Sequence, residues 1–463
     1  MPAADLVLKG GTLVSASGRL EADLVIKDGK VLAWTGGELT PSAGEVIDVR
    51  GKFLLPGLID SHVHIRYPGG GERENFASGT RAAAAGGITT VLEHPVSSPS
   101  VYSAEIFRDR KRLCAPHAYV DFGLYGSMGT ENLDSLDELA AAGAIAFKCF
   151  LQDIATPGRE EDYFGVTATD EGVMYEMFER VAATGRPAAV HAESNDMVLR
   201  GMEKMRAAGR NDIVAHHDSR TVANELVSCA TVLEMAKATG ARLLVCHVSG
   251  GTVVAFLRSA RDRGYNVLIE TCPHYLFLSL DEAIELGPYA KINPPIRTAE
   301  ERDHLWRELA RGSVDFIGSD HAPFYKEEKE PGWEEIWKAP SGAAGLETTV
   351  PLMIDAVVQG RLELEDLVRL MAENTARHFD LWPKKGSLSP GSDGDVVVVD
   401  LEGERFVSRE TMFTQGAPSA RLYDGRTLGG QVLMTIVRGE PVYREGRITG
   451  GEGFGELVLP QNP

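Results

Sequence analysis

The chain has 463 residues, with 47 basic and 67 acidic side chains and a formal net charge of −20 at pH 7. A chain of this length predicts one large domain with an appendage, or two domains. The acidic excess argues against nucleic acid or an anionic membrane surface as a partner. Five scattered cysteines without a CxxC pair, and the lack of any apolar run of membrane-spanning length, favour a cytoplasmic protein.

The two ends of the chain share one sequence pattern, short apolar runs separated by glycine-rich turns, which is typical of β-strands. At the amino end these runs lie at 6–8, 12–14, 23–26 and 31–34. The same pattern occurs again from about residue 386, at 395–400 and 432–437. We therefore expect residues 1–55 and 386–463 to pair into one small β-sandwich.

Between residues 56 and 385, β-branched apolar runs alternate with helical stretches rich in Ala and Glu, the pattern of a parallel sheet. The candidate strands lie at 56–64, 88–93, 118–125, 144–150, 187–191, 242–247, 266–272 and 314–320. Eight such units predict an α/β fold, a (β/α)₈ TIM barrel accompanied by the small sandwich. Residues 325–341 are predicted as a long loop after the eighth strand.

Ligand-type side chains lie at the carboxyl ends of several of these strands, where the chemistry of such barrels is located. His62 and His64 are separated by one residue on the first strand, so they point to the same side. The others, in chain order, are Lys148, His191, His247 and Asp320. Together they predict a divalent metal site at the barrel mouth. For a single histidine the alternative is a hydrogen-bonded core residue, and for Asp320 a turn cap.

Lys148 interrupts the apolar run 144–151, which is otherwise suited to a buried strand. Burial favours the neutral amine, and a neutral amine can react with CO₂ to form an anionic carbamate that bridges two cations. The alternative is a lysine that extends its ammonium group into water.

Several stretches resemble the amidohydrolase superfamily, in the cyclic-amide branch of hydantoinases, dihydropyrimidinases, allantoinases and dihydroorotases. They span nearly the whole chain and lie at 56–64, 79–84, 147–148, 190–193, 246–249, 270–276, 293–297 and 318–323. Residues 385–388 and 391–395 resemble the return of that family into its sandwich domain.

The resemblance implies a binuclear centre, usually of zinc, although manganese, iron or cobalt suit the same ligands. His62, His64 and Asp320 would hold one ion, His191 and His247 the other, and carboxylated Lys148 would bridge them. A bridging hydroxide would attack the ring amide of a small cyclic ureide, with Asp320 as acid and base, to give an N-carbamoyl acid. Family members are often tetramers or dimers, so a homo-oligomer is expected.

Arg66 and Asn293 resemble residues of dihydroorotases, in which the arginine and an asparagine after the second strand grip the substrate carboxylate. Val96 and Phe324, however, replace two polar partners of that grip, so dihydroorotate should bind weakly. Asp153 stands where dihydropyrimidinases carry a tyrosine that assists the oxyanion. The nearest resemblance is to L-selective hydantoinases, with allantoinases as the alternative, over 120–126, 329–333, 345–348 and 451–455.

Further substrate contacts are assigned on weaker grounds. His94, Phe150 and Phe324 are candidates to shape the substrate pocket, and the backbone near Cys272 or Asn293 is a candidate to assist the oxyanion. The apolar candidates could equally be core residues. Two other functions stay open: a non-catalytic scaffold relative, and a mononuclear deaminase that would use Glu193.

Overall fold

The computed structural model describes residues 3–69, 73–153 and 160–461. The strands, in chain order, are β1 (Ala4–Ser15), β2 (Gly18–Lys27), β3 (Lys30–Thr35), β4 (Ala43–Asp48), β5 (Phe53–Pro56), β6 (Leu58–Val63), β7 (Ile88–Glu93), β8 (Asp121–Leu124), β9 (Gly126–Ser127), β10 (Phe147–Phe150), β11 (Pro187–His191), β12 (Arg242–Val245), β13 (Val267–Thr271), β14 (Phe316–Ile317), β15 (Val396–Phe406), β16 (Thr427–Val437), β17 (Glu440–Arg444) and β18 (Arg447–Ile448).

The α-helices are α1 (Phe76–Gly86), α2 (Ala104–Cys114), α3 (Leu136–Ala142), α4 (Glu171–Thr184), α5 (Asn195–Ala207), α6 (Ile213–Ser219), α7 (Val222–Thr239), α8 (Gly251–Asp262), α9 (Pro273–Phe277), α10 (Leu280–Leu286), α11 (Ala299–Ala310), α12 (Lys326–Lys329), α13 (Leu346–Val358), α14 (Leu364–Val368) and α15 (Asn374–His378). Within the described ranges, none of them is both long enough and apolar enough to cross a membrane.

Strands from the two ends of the chain form a single sheet, in the order β18-β17-β16-β15-β5-β1-β2-β3, with β4 paired to β1. The two ends meet where β5 pairs antiparallel with β15. One point of the prediction was wrong, because the runs 6–8 and 12–14 belong to one strand, β1. The register of β1 against β2 shifts between Leu8 and Gly11, and Gly10 adopts a φ of 76°, so the glycines form a bulge instead of a turn.

The barrel consists of two arcs of parallel strands, β6-β7-β8 and β9 to β14. Tyr125 joins the arcs, because its backbone N–H donates to Glu93 and that of Gly126 donates to Ala146, each at 2.9 Å. The circle closes where His64 N–H donates to the His321 carbonyl at 2.7 Å. Counting β8 and β9 as one interrupted strand gives eight positions, which confirms the predicted α/β barrel.

Several predicted strand boundaries were displaced, and the eighth strand, predicted at 314–320, is only Phe316–Ile317. The first barrel strand begins at Leu58 and not at 56, because Pro56 ends β5 of the terminal sheet. The third strand begins at Asp121 after a turn closed by Ala118 N–H, and the fourth begins at Phe147.

The segment 325–341 is not the plain loop that the sequence predicted. It contains α12 and the 3₁₀ turns Glu330–Trp333 and Ile336–Lys338. Two buried lysines hold it against the barrel: Lys291 Nζ donates to the Ile336 carbonyl at 2.8 Å, and Lys329 Nζ, within the segment, donates to the Lys291 carbonyl at 3.2 Å. These bonds shape one wall above the barrel mouth.

Candidate metal centre and active site

The first cluster of candidate ligands joins the first and last strands of the barrel. His62 lies on β6, His64 directly follows β6, and Asp320 is the third residue after β14. The Nε2 atoms of His62 and His64 are 3.1 Å apart, and Asp320 Oδ1 lies 3.4 Å from the first and 3.3 Å from the second. All three side chains are buried or nearly so.

The spacing of these three atoms fits a metal ion. Ligand atoms that each lie about 2.0–2.2 Å from a zinc ion are about 3.0–3.5 Å from one another. The three observed separations fall in this interval. Burial lowers the pKa of His64 to about 4 and lowers that of His62 well below its usual value, so both imidazoles are neutral and offer a lone pair.

The second cluster consists of His191, the last residue of β11, and His247, which follows β12. His191 Nδ1 lies 3.1 Å from His247 Nε2, which again matches two ligands of one ion. The ring centroids of His62 and His247 are 5.2 Å apart, so the two clusters are neighbours on the floor of the barrel mouth.

Lys148 on β10 has a fully buried side chain, and no hydrogen-bond partner for its Nζ exists in the described part of the chain. The Lys148 amine interacts electrostatically with His62, His64 and His247, so it lies close to both clusters. A buried amine without a partner is costly. Conversion to a carbamate shared by two cations would remove that cost, so the residues present fit the implied group.

Two buried carboxylates orient one histidine in each cluster. Glu270 Oε1 lies 2.7 Å from His62 Nδ1 and also accepts the backbone N–H of His247 at 3.2 Å. Glu193 Oε2 lies 2.7 Å from His191 Nε2 and pairs with Arg220. In each case one ring nitrogen is engaged and the other, His62 Nε2 or His191 Nδ1, is free to face an ion.

The electrostatics of the site differ among its carboxyl groups: burial raises the pKa of Glu270 to about 8, whereas Glu193 and Asp320 are held in the ionised form. Burial opposes ionisation of Glu193, but the charge of Arg220 holds its pKa below the usual range. Burial likewise opposes ionisation of Asp320, but its hydrogen bond with His64 and the neighbouring His247 lower its pKa. Both groups are therefore anionic at neutral pH.

His94, which follows β7, lies beside the first cluster without joining it. Its ring is stacked on that of His62, with centroids 3.7 Å apart and planes 7° apart, and it packs on Tyr125 from the other side. Because the rings are parallel, an ion in the plane of His62 lies well off the plane of His94, where an imidazole has no lone pair. One ring nitrogen of His94 lies within 4.8 Å of a ring nitrogen of His62 and of His64, but the His94 ring is not oriented as a ligand.

A cavity of about 150 Å³ opens above the candidate ligands. The predicted substrate residues that line it are Arg66, Phe150 and Asn293. His94, Cys272 and Phe324 are absent from its described lining: Cys272 is buried below it, and the Phe324 ring supports Arg66 from behind, 4.6 Å from the guanidinium carbon. Val96 also lines the cavity, and its side chain makes that part of the wall apolar.

Several residues of the site had no signal in the sequence. Gln152 and Tyr163 line the cavity after β10, and Ser341 and Gly342 line it from the segment held by the two buried lysines. Glu270 stands 208 positions from the histidine it orients, so only the folded barrel reveals the pair. Glu193 does have a local signal, two residues after His191.

The family model described as "Amidohydrolase family" matches residues 53–442. The chain belongs to the amidohydrolase family. It is 36% identical to an L-hydantoinase of Paenarthrobacter aurescens, over 99% of this chain and 98% of that protein. It is 37% identical to an allantoinase of Deinococcus radiodurans, over 99% of each chain.

Among solved structures, an L-hydantoinase (dihydropyrimidinase) from Arthrobacter aurescens superimposes with a TM-score of 0.94 at 36% identity, over 98% of this chain and 100% of that one. The amidohydrolase barrel and its accessory sheet are thus shared over essentially the whole length.

Proposed function

We propose that this amidohydrolase opens the ring amide of a hydantoin-like cyclic ureide to give an N-carbamoyl acid. The observation that carries the proposal is the pair of histidine clusters, whose atoms are spaced for two ions around the Lys148 amine, which has no hydrogen-bond partner among the described residues. The full-length similarity to a hydantoinase and an allantoinase supports the reaction class. A non-catalytic scaffold would not be expected to keep every candidate ligand.

The proposed ligands are those expected from the sequence. His62, His64 and Asp320 would hold one ion, His191 and His247 the other, and Lys148, as the carbamate, would contact both. Two divalent cations held there would lower the pKa of a bound water to about 7 and would polarise a carbonyl oxygen. We favour zinc because the donors are imidazole nitrogens and carboxylate oxygens.

Asp320 moves the proton in this proposal. Its Oδ1 lies at the junction of the cavity and the first cluster, and its low pKa makes it a carboxylate that can accept a proton from the attacking water. A carbon–oxygen bond forms at the ring carbonyl and the ring carbon–nitrogen bond breaks. Asp320 then gives the proton to the departing ring nitrogen, so that it leaves as a neutral urea nitrogen.

Other residues of the cavity hold and enclose the ring. Asn293 offers an amide whose Oδ1 is buried without a described partner, and is therefore available to a ring N–H. Phe150 supplies an apolar wall that excludes water from one side.

The sequence left three alternative reactions open, and the structure and the relatives support them to different degrees. Allantoin remains the second candidate substrate, because an allantoinase is as similar as the hydantoinase. The deaminase interpretation needs Glu193 to face the substrate, but Glu193 engages His191 Nε2 and Arg220 behind the ligand. Dihydroorotate is disfavoured because Val96 lines the cavity where a polar partner is required.

We further propose that the enzyme acts as a cytoplasmic homotetramer or homodimer, with a catalytic barrel at 56–385 and an accessory domain from 1–55 and 386–463. All five cysteines are free and buried, in keeping with a reducing compartment.

The test of the proposed function is a substrate panel with zinc-loaded protein: hydantoin, 5-substituted hydantoins, allantoin, dihydrouracil and dihydroorotate. We expect a five-membered ureide to be opened fastest, with loss of activity on chelation and recovery with zinc. His247→Gln should abolish turnover, whereas His117→Gln, at an exposed histidine, should not. Turnover of dihydroorotate alone, or of none of these rings, would contradict the proposal.

A further inference from the structure

A second, much smaller cavity adjoins Asp320. Its volume is about 10 Å³, close to the smallest volume that holds one water molecule. The polar side chains along its wall belong to His274, Ser319, Asp320, Thr348, Thr349 and Tyr423. Asp320 lines both this small cavity and the substrate cavity, so it belongs to the wall between them.

Two polar atoms of this lining lack a hydrogen-bond partner among the described residues, His274 Nε2 and the Tyr423 hydroxyl. The two residues are only 5% and 4% exposed, so bulk water does not satisfy them. The neighbouring hydroxyls are engaged, because Thr348 and Thr349 donate to the Gly345 carbonyl at 3.2 and 3.0 Å. Buried polar groups without partners are costly, and the small cavity is where both groups can find one.

A single water molecule fits both the volume of the small cavity and its polar groups. Burial lowers the pKa of His274 to about 4, so its imidazole is neutral and presents either an N–H or a lone pair at Nε2. Burial raises the pKa of Tyr423, so its hydroxyl keeps its proton. Water can bond to either form of the ring, accept from Tyr423 and donate to Asp320. Buried waters typically make about three such bonds.

Tyr423 reaches the small cavity from the connection between β15 and β16, which belongs to the terminal sheet and crosses to the barrel mouth. The connection is fastened there by two buried bonds. Ser419 Oγ donates to the Phe324 carbonyl at 2.6 Å. The Thr414 N–H donates to Glu347 Oε1 at 3.0 Å. Because the connection is held on both sides, the Tyr423 hydroxyl has a fixed place beside Asp320.

The bonds that fix the Asp320 backbone do not fix its carboxylate. Asp320 has a φ of 48°, and its turn is held by Ser319 N–H, which donates to Asp60 Oδ1 at 2.9 Å, and by His321 N–H, which donates to Ser319 Oγ at 3.1 Å. Rotation about the side-chain bonds of Asp320 stays open. A hydrogen-bond donor in the small cavity would hold the carboxylate with Oδ1 facing the first histidine cluster.

We infer that Tyr423 and His274 bind one water molecule that donates to the Asp320 carboxylate from the small cavity and keeps it aligned for proton transfer. This inference rests on the proposed function, in which Asp320 moves the proton. It adds Tyr423 and His274 as positioning residues, and it gives the connection from the terminal sheet a part in the active site.

The kinetic test compares zinc-loaded wild type, Tyr423→Phe, His274→Leu and the double variant on the ring that the wild type opens fastest. Loss of the water should lower kcat about 10-fold at unchanged KM and zinc content, because the ring still binds but the carboxylate is less often aligned. Both side chains hold the same water, so the double variant should lose no more kcat than a single variant.

Tyr265→Phe is the matched control. Its hydroxyl is also hydrogen-bonded, to Glu234, but Tyr265 precedes β13 at the end of the barrel opposite the mouth, so its kcat should equal that of the wild type. An unchanged kcat in Tyr423→Phe, or losses that multiply in the double variant, would overturn the inference. If Tyr423→Phe does not fold, His274→Leu gives the same comparison with the wild type.

A high-resolution crystal structure of the zinc-loaded protein tests the water without reference to activity. We expect one ordered water between His274, Tyr423 and Asp320 in the wild type, and its loss in Tyr423→Phe. A small cavity without water, in a crystal that resolves other buried waters, would overturn the inference. If the wild type opens no ring, the proposed function has failed; an Asp320 carboxylate oriented identically in the wild type and Tyr423→Phe would then overturn the positioning role by itself.

Discussion

The bond between Glu193 and His191 gives the sharpest prediction about metal binding. Replacing Glu193 with Leu removes the acceptor 2.7 Å from His191 Nε2, so the ring no longer has one nitrogen reserved for the ion. The substitution also leaves Arg220 buried without its carboxylate. We expect the affinity for the second zinc to fall about 10- to 100-fold, which is about 1.4–2.8 kcal/mol, and the free energy of unfolding to fall by about 3–5 kcal/mol.

Chelator competition resolves the two zinc affinities, and urea unfolding of the metal-free protein measures stability. Glu193→Gln keeps an oxygen that accepts the His191 N–H, so it should lose less zinc affinity than Glu193→Leu. Glu308→Leu is a matched control, because Glu308 is also fully buried and paired with arginines, Arg258 and Arg311, but contacts none of the candidate ligands. If Glu193→Leu bound both zinc ions as the wild type does while losing stability, the argument from ring orientation would be refuted.

Three further predictions follow from the same contacts. Asp320→Asn should lower kcat about 10²- to 10⁴-fold, because the amide cannot accept the proton; unchanged circular dichroism with unchanged kcat would count against that role. Burial lowers the pKa of Lys291 to about 7, whereas an unfolded lysine titrates near 10.4, so the unfolded chain binds more protons between these values. Stability should therefore rise with pH across that interval, by up to about 1.4 kcal/mol per unit, and urea unfolding should show a flatter profile for Lys291→Met. Removing zinc with a chelator should lower the melting temperature, and excess zinc should restore it.

The order of the candidate ligands along the chain was predictable because strand alternation is local and the βα units of the barrel are repetitive. His62 and His64 share a side by period two, and the ends of parallel strands meet at one mouth. The boundaries were less predictable, since a glycine pair such as Gly10–Gly11 can form either a turn or a bulge. Only the pairing of β1 with its neighbours decides between these two structures.

The supporting contacts could not be predicted because they join distant parts of the chain. Glu270 reaches His62 across the barrel, and Arg220 reaches Glu193 from the turn between α6 and α7. Apolar residues were also ambiguous: Phe150 lines the cavity, whereas Phe324 lies behind Arg66. Nothing in the local sequence distinguishes a cavity wall from the layer beneath it.

The carbamate on Lys148 is the central claim, and its most direct test is carbon-13 NMR of zinc-loaded protein prepared with labelled bicarbonate, together with zinc content per chain. We expect one labelled carbamate carbon and two zinc ions in the wild type. The carbamate signal and the second zinc should both be lost in Lys148→Ala. Two tightly bound zinc ions in the wild type without a carbamate signal would contradict the account.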